Sequence, residues 1–190
     1  MPNPFVQGIN SVVDTELFNI KSLGSSLTGS PYQFFSDSVG SVGAYRTNLQ
    51  TKNSIPTNWD SFLVTGFTMQ FLTSELAITD YLTFFSKNGY YQFFLGQTPL
   101  RFGSIAEFCP IVAVTETTFE VGTSVVDTVS IHQYVDKKGA YLPLSKGYEI
   151  TIPSNTTFGF TMTMTADVTG LHNVNLKVGI KGKLSRKVVG

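Results

Sequence analysis

The sequence predicts a mainly β fold, a sandwich or barrel that carries one inserted α-helix at about residues 74–88. Eight to ten short runs with strand character recur along the chain, separated by turn residues. Aromatic residues make up 13% of the chain, with 16 Phe and 8 Tyr, and such residues are enriched in strands. A single segment has the apolar spacing of a helix, which supplies the one insertion.

Charged residues make up only 14% of the 190 residues, whereas about 25% is usual in soluble domains. Thirteen basic and thirteen acidic residues cancel, so the net charge gives no support for nucleic-acid binding. A surface this poor in charge is less protected against association. We interpret it as a surface that is largely covered in the working state; the alternative is a monomer of low charge.

The chain is predicted to form one domain with an N-terminal extension. Residues 1–31 mix Asn, Ser, Gly and Pro with scattered apolar positions, which indicates an extended or irregular arm. Residues 32–190 then form the single domain, a size that one core can support. Its first strand is Tyr32–Ser36, and a Gly- and Ser-rich loop runs from Asp37 to Asn58.

A long strand is predicted from Trp59 to Leu72. The apolar residues before Gly66 (Phe62 and Val64) and those after it (Phe67, Met69 and Phe71) have opposite parity. One extra residue in a strand moves the following side chains to the other face, so this switch predicts a β-bulge.

Residues 74–88 change to helical period. Four apolar residues fall at i, i+3, i+4 and i+7, on one helix face: Ile78, Tyr81, Leu82 and Phe85. Ser74 is placed to cap the start, and Gly89 stands where a left-handed residue ends a helix.

The remainder of the chain is predicted to be strands. Tyr90–Leu95 and a return at Leu100–Phe102 flank a turn, and β-branched runs follow between Ile111 and Val135. The clearest alternation places one set of side chains in the core and threonines outside: Phe158, Phe160, Met162, Met164, Ala166 and Val168 against Thr157, Thr161, Thr163 and Thr165. The closing strand, about Asn173 to Lys187, carries a basic stripe: Lys177, Lys181, Lys183, Arg186 and Lys187.

The residues that usually carry chemistry are scattered. His132 and His172 have no second ligand at metal-binding spacing, so we expect no metal and no cofactor. The lone Cys109 lies between Phe108 and Pro110 and is interpreted as a buried, inert thiol. No nucleophile elbow or phosphate loop occurs, so no catalytic residue and no small-molecule substrate are predicted. The chain also lacks a leader pattern at Met1 and an apolar run of about 18 residues, so neither secretion nor a membrane span is expected.

Three segments together resemble the single jelly-roll capsid proteins of tailless icosahedral bacteriophages, especially those with an internal membrane. They are Asn48-Leu49 to Ile55-Pro56 followed by Phe62–Phe67, the helix end at Asn88-Gly89 running into Tyr90–Gly96, and the closing strand Val174–Arg186. The resemblance implies a jelly roll of two antiparallel sheets, with eight main strands and one inserted helix. It implies a virion protein, made in the host cytoplasm, whose copies join each other and other capsid proteins laterally. It implies no catalytic residues.

Under this hypothesis the subunit contacts are uncharged and on strand faces. The candidates are the loop Ser38 to Asn53 and the outward threonines Thr161, Thr163 and Thr165. The basic stripe is either a solvated strand face, where lysines discourage edge pairing, or an interior-facing surface near an anionic partner. Such a partner is internal-membrane lipid head groups or packaged nucleic acid. The alternative function is a receptor- or carbohydrate-binding spike or fibre head that uses Tyr45, Trp59 or Tyr141.

Overall fold

The computed structural model describes residues 11–27, 29–56, 58–72, 84, 89–109, 111–117, 130–135 and 140–186. Eleven strands fall within these ranges: β1 (Ser11–Leu27), β2 (Tyr32–Phe34), β3 (Ser61–Phe71), β4 (Tyr90–Leu95), β5 (Thr98–Ser104), β6 (Ile111–Thr117), β7 (Ser130–Val135), β8 (Ala140–Pro143), β9 (Ile150–Pro153), β10 (Phe158–Thr163) and β11 (Val168–Arg186). A short helix, α1 (Val39–Val42), and a 3₁₀ turn (Ile105–Phe108) complete the described elements.

Two antiparallel sheets pack together as a β-sandwich, which confirms the predicted mainly β fold. The five-stranded sheet has the order β1-β11-β3-β8, and β9 also pairs with β3. The four-stranded sheet has the order β2-β10-β4-β5, and β6 and β7 form a separate hairpin. Strands β1, β2, β3 and β4 fall in alternate sheets, so the chain crosses from one layer to the other after each of the first three strands.

The core between the two sheets is rich in aromatic rings. Phe67 of the five-stranded sheet lies with its ring centroid 5.2 Å from that of Phe93 and 6.0 Å from that of Phe160, both in the four-stranded sheet. Tyr91 stacks on Phe160 at 5.3 Å. Tilted and offset ring pairs add to the free energy gained by burying the apolar area. The Phe67 contacts therefore hold the two layers together, whereas the Tyr91–Phe160 pair joins neighbouring strands of one sheet.

The predicted β-bulge in the long strand is confirmed. Lys181 of β11 pairs with Gly66, but the next residue pairs with Val64, so Thr65 is the extra residue of β3. Val64 and Phe67 are both buried, as the parity switch requires. Gly66 is required here, because a Cβ atom on it would lie 2.7 Å from the carbonyl oxygen of Leu142 in β8.

Much of the predicted N-terminal arm belongs to the sandwich. Ser11–Leu27 is a strand that pairs with β11 over its whole length, from Ser11 opposite Arg186 to Leu27 opposite Val168. It is therefore neither irregular nor separate from the sheet. The apolar pattern does not clearly indicate this strand, because the inward-facing residues of β1 include the polar Asn19, which is fully buried. Two register shifts, between Ser22 and Ser26, interrupt the pairing further.

Other predictions agree with the structure only in part or lie outside the described residues. The alternating strand is confirmed from Phe158 to Thr163, but the chain bends at Thr165 and Ala166, and Val168 already belongs to β11. The predicted helix lies outside the described residues except at Phe84, which has helical backbone and packs edge-on against Phe71 at 4.9 Å. Residues 118–129 and 136–139 also lie outside the described ranges. Cys109 is only partly buried, although it packs against the core.

Candidate interaction surfaces

The outer face of the five-stranded sheet carries charges of both signs. We call it the charged face; its ionised residues are Asp14, Glu16, Lys177, Lys181 and Lys183. Register places Asp14 directly opposite Lys183 and Glu16 directly opposite Lys181. The three lysines do share one face, as the alternation indicates, but acids of β1 face them across the ladder. Three lysines against two acids leave a net charge of one on this face.

Glu16 is the centre of a small polar cluster on this face. Its carboxylate is 2.5 Å from Nζ of Lys177 and accepts a hydrogen bond of 2.5 Å from the hydroxyl of Thr68. To reach both, the side chain crosses the middle strand at Gly179, where a Cβ atom would collide with Glu16 and Thr68. Gly179 is thus the residue that allows one carboxylate to link three strands.

The remaining members of the predicted basic stripe are arranged differently. Lys181 lies 5.0 Å from the ring centroid of Tyr141, and the Tyr141 hydroxyl donates to the carbonyl of Thr65 at 3.1 Å. Arg186 is exposed at the end of β11, but it has the parity of the buried Leu184 and so does not alternate in step with the three lysines. Lys187 lies outside the described residues.

The loop between β2 and β3 covers part of the free edge of β1. The Asn48 side chain accepts from the Phe18 N–H at 2.9 Å and donates to the Glu16 carbonyl at 2.7 Å, as the backbone of a neighbouring strand would. The N–H of Ile20 donates to the Arg46 carbonyl at 2.7 Å. This contact satisfies edge groups that are otherwise open to another chain. It also explains the Asn48-Leu49 pair, since Leu49 is fully buried.

The outer face of the four-stranded sheet carries no charge among its described outward residues. We call it the uncharged face; it comprises Gln33, Tyr90, Gln92, Phe94, Phe102, Gly159, Thr161 and Thr163. Thr161 stands between Gln33 and Gln92 in one cross-strand row. Thr161 and Thr163 therefore lie on the predicted outward face. Thr165 lies in the bend after β10 and does not belong to that face.

A polar cluster that the sequence analysis missed joins β4, β5 and the 3₁₀ turn. Nε of Arg101 donates to the Tyr91 hydroxyl at 3.3 Å, and this hydroxyl donates to Glu107 at 3.4 Å. Glu107 also accepts a hydrogen bond from the N–H of Ser104 at 3.0 Å. This contact belongs to a capping box, which the spacing Ser104-x-x-Glu107 indicates. Burial raises the pKa of the Tyr91 hydroxyl above its ordinary value, so it stays protonated as a donor.

Exposed apolar side chains concentrate at the two edges of the sandwich. One edge is formed by β1 with the loop beside it, and the opposite edge by β5 and β8. Of the eight large apolar or aromatic side chains exposed in the described ranges, only Leu72 lies elsewhere; the others are Val12, Val13 and Tyr45 at the first edge and Leu100, Phe102, Tyr141 and Tyr148 at the second. Tyr45 and Tyr148 are 74% and 77% exposed.

No protein-family model, curated protein or solved structure gives a significant match to this chain. Among the described residues, no group of three or more His, Cys, Asp or Glu side chains is placed to hold a metal ion. Within the same ranges there is no helix of the length and apolar character needed to cross a membrane.

Proposed function

We propose that this chain is a structural subunit of a virion shell, folded as a single jelly roll with a helix inserted near residues 74–88. The strand order supports the jelly roll, because β1-β11-β3-β8 faces β2-β10-β4-β5 and the strands from β1 to β4 and from β9 to β11 alternate between the two sheets. The resemblance of three segments to bacteriophage capsid proteins supports the viral role. Its partners are copies of itself and other capsid proteins, its site of action is the virion, and it has no catalytic role.

The observation that carries the proposal is the placement of exposed apolar side chains at two opposite edges. Single exposed apolar residues are ordinary, but seven that divide between two edges are not scattered at random. A two-fold dimer buries one patch against its own copy, so a dimer through either edge leaves the other edge exposed. If one edge binds the opposite edge of the next copy, contacts repeat from subunit to subunit, and the result is a ring or a lattice.

Contact of the charged face with lipid head groups or nucleic acid is a separate part of the proposal. Lys177 is already paired with Glu16, so such contact would rest on Lys181 and Lys183, both exposed. We expect the double change of these two lysines to Gln to weaken binding to anionic liposomes or DNA. Unchanged binding by the double variant would leave this surface as a solvated strand face.

The assembly is tested with two matched leucines. Leu100 at the β5 edge and Leu72 at the end of β3 are each 43% exposed. We expect the unchanged protein to associate with concentration in sedimentation velocity and to form particles in electron micrographs. Leu100→Asn should weaken association at least tenfold, whereas Leu72→Asn should not. A protein that stays monomeric at every concentration, with or without partner subunits, would overturn the proposal.

The alternative, a receptor- or carbohydrate-binding head, needs aromatic residues that meet at one site. Tyr45 and Tyr141 lie at opposite edges of the sandwich, and Trp59 is partly buried against the core. These three residues therefore form no common surface, and nothing in their arrangement favours the alternative.

A further inference from the structure

The uncharged face contains a groove of about 370 Å³. Its floor is Gly159 in the middle of β10, above which a Cβ atom would meet no other atom within 4 Å. One wall is formed by the end of β2 and the loop at Asn53, and the other by Phe94 and Gln97 of the β4–β5 hairpin. The volume falls within the range of about 300–1,000 Å³ that is typical of small-ligand sites.

The polar groups that line this groove are uncharged and available. No residue of the lining carries a charge. The side-chain amides of Gln33, Asn53 and Gln97 and the hydroxyls of Thr157 and Thr161 have no hydrogen-bond partner in the part of the chain that the structure describes. Ser36 also lines the groove; its oxygen accepts from Lys21 at 3.0 Å, which leaves its own proton for another acceptor. Lys21 is in turn 3.7 Å from Asp37.

The wall beside β2 is held in place by unusual backbone. Phe35 has φ of 65° and Asn53 has φ of 54°, and a bulky aromatic residue rarely adopts a positive φ. Phe35 keeps it because its N–H donates to the buried Asn19 at 3.0 Å, while its carbonyl accepts from the N–H of Asn53 at 2.9 Å. The carbonyl of Asn53 then accepts from the N–H of Phe158 at 2.8 Å. The groove is therefore a preformed structure tied to the core, so a ligand need not order it.

We propose that this groove binds one ring of a neutral saccharide. A sugar ring presents C–H groups on one face and hydroxyls around its rim. The half-buried Phe94 ring offers an apolar surface to the C–H face, and the amides and hydroxyls offer both donors and acceptors to the rim. The lack of charge leaves anionic and cationic ligands without a partner. This site is separate from the edge contacts of the proposed assembly and does not depend on them.

The test uses a variant that fills the groove without disturbing the strand. Gly159 lacks a positive φ and faces open space, so Gly159→Leu places a side chain in the groove with no backbone strain. Gly40→Leu is the matched control, because Gly40, in α1 and outside the groove, likewise has open space at its Cβ position and no positive φ. The probes are the methyl glycosides of glucose, galactose, mannose and N-acetylglucosamine, titrated into isotopically labelled protein and followed by amide chemical shifts.

We expect at least one neutral glycoside to give saturable shifts at Phe94, Gly159 and Thr161. Gly159→Leu should weaken that binding at least tenfold, and Gly40→Leu should leave it unchanged. The proposal is overturned if no glycoside gives saturable shifts, if Gly159→Leu binds as well as the unchanged protein, or if a methyl glycoside of sialic acid binds equally well. It is also overturned if the same resonances shift with protein concentration alone, since a second copy would then occupy the groove.

Discussion

The two outer faces of the sandwich place a glycine in an inner strand but use it in opposite ways. On the charged face, Glu16 crosses over Gly179 to bind Lys177 and Thr68, so the space above the middle strand is filled. On the uncharged face, the space above Gly159 in the middle strand is empty. A glycine in an inner strand can thus let a neighbouring side chain cross over the strand, or it can form the floor of a groove.

This difference shows on which face the polar groups already have partners. The polar groups at the centre of the charged face are bonded to one another, and its net charge is small. Those of the uncharged face have no partner in the described ranges, and a surface with unpaired polar groups and no charge is suited to contact with an uncharged partner. The same sheet topology therefore supports a closed surface on one side and an open one on the other.

The largest expected effect comes from adding a side chain at Gly179, compared with the same change at Gly159. Gly179→Val should displace the Glu16 carboxylate and destabilise the fold by about 2 kcal/mol, the range for inserting methyl groups into a packed site. Gly159→Val should change the free energy of unfolding by less than about 0.5 kcal/mol, or raise it, because Val favours strands and meets nothing there. Urea unfolding of both variants measures the difference. Equal losses of stability would show that the two faces are packed alike.

A smaller effect is expected from the ion pair itself. Glu16→Gln keeps an acceptor for Thr68 but removes the charge that faces Lys177, and we expect it to destabilise the fold by about 1 kcal/mol, since both side chains are partly exposed. The loss should shrink in about 1 M salt, where the Debye length falls to about 3 Å.

Asp14→Asn is the control for that pair. Asp14 lies on the same strand and face, but no described cation lies within salt-bridge distance of its carboxylate. Its removal should change stability by less than about 0.5 kcal/mol. If Asp14→Asn and Glu16→Gln behave alike, the cluster around Glu16 contributes nothing beyond general charge.

What the sequence could predict was local. The alternation from Phe158 to Met164 and the parity switch at Gly66 need only neighbouring residues, and both are confirmed. Strand β1 was predicted only as part of an extended or irregular arm, because its inward row contains the polar Asn19, which accepts a hydrogen bond from the backbone of Phe35, 16 residues away. A pattern of apolar residues cannot indicate a buried amide whose hydrogen-bond partner lies in a distant segment of the chain.

The surfaces could be predicted only as rows of residues. Lysines at alternate positions indicated one basic face, but the acid that pairs with Lys177 is 161 residues away, and only the register of β1 against β11 brings them together. The groove likewise depends on three segments that meet at Gly159. The capping box at Ser104 was visible in the sequence, but the contact of Glu107 with Tyr91 was not.

The smallest expected effect separates the two sheets by their response to alkaline pH. The charged face carries its ionisable groups outside, whereas the four-stranded sheet holds the Tyr91 hydroxyl beneath it. Burial raises the pKa of Tyr91 above its ordinary value of 10.0, so the folded state holds this proton more tightly than the unfolded state does. The stability that this proton contributes is complete below about pH 10 and is lost as the pH rises through the folded pKa.

Tyr91→Phe removes that dependence together with the hydrogen bonds to Arg101 and Glu107. Near neutral pH the variant should be less stable than the unchanged protein, by less than about 1 kcal/mol. The difference should be constant from about pH 8 to about pH 9 and should narrow or reverse as the pH rises through about 10 and above, because the unfolded chain then loses the Tyr91 proton that the folded state retains. Other tyrosines and lysines titrate in both proteins and cancel in the comparison. If the difference in unfolding free energy stays constant over this range, the folded protein holds the Tyr91 proton no more tightly than the unfolded chain does.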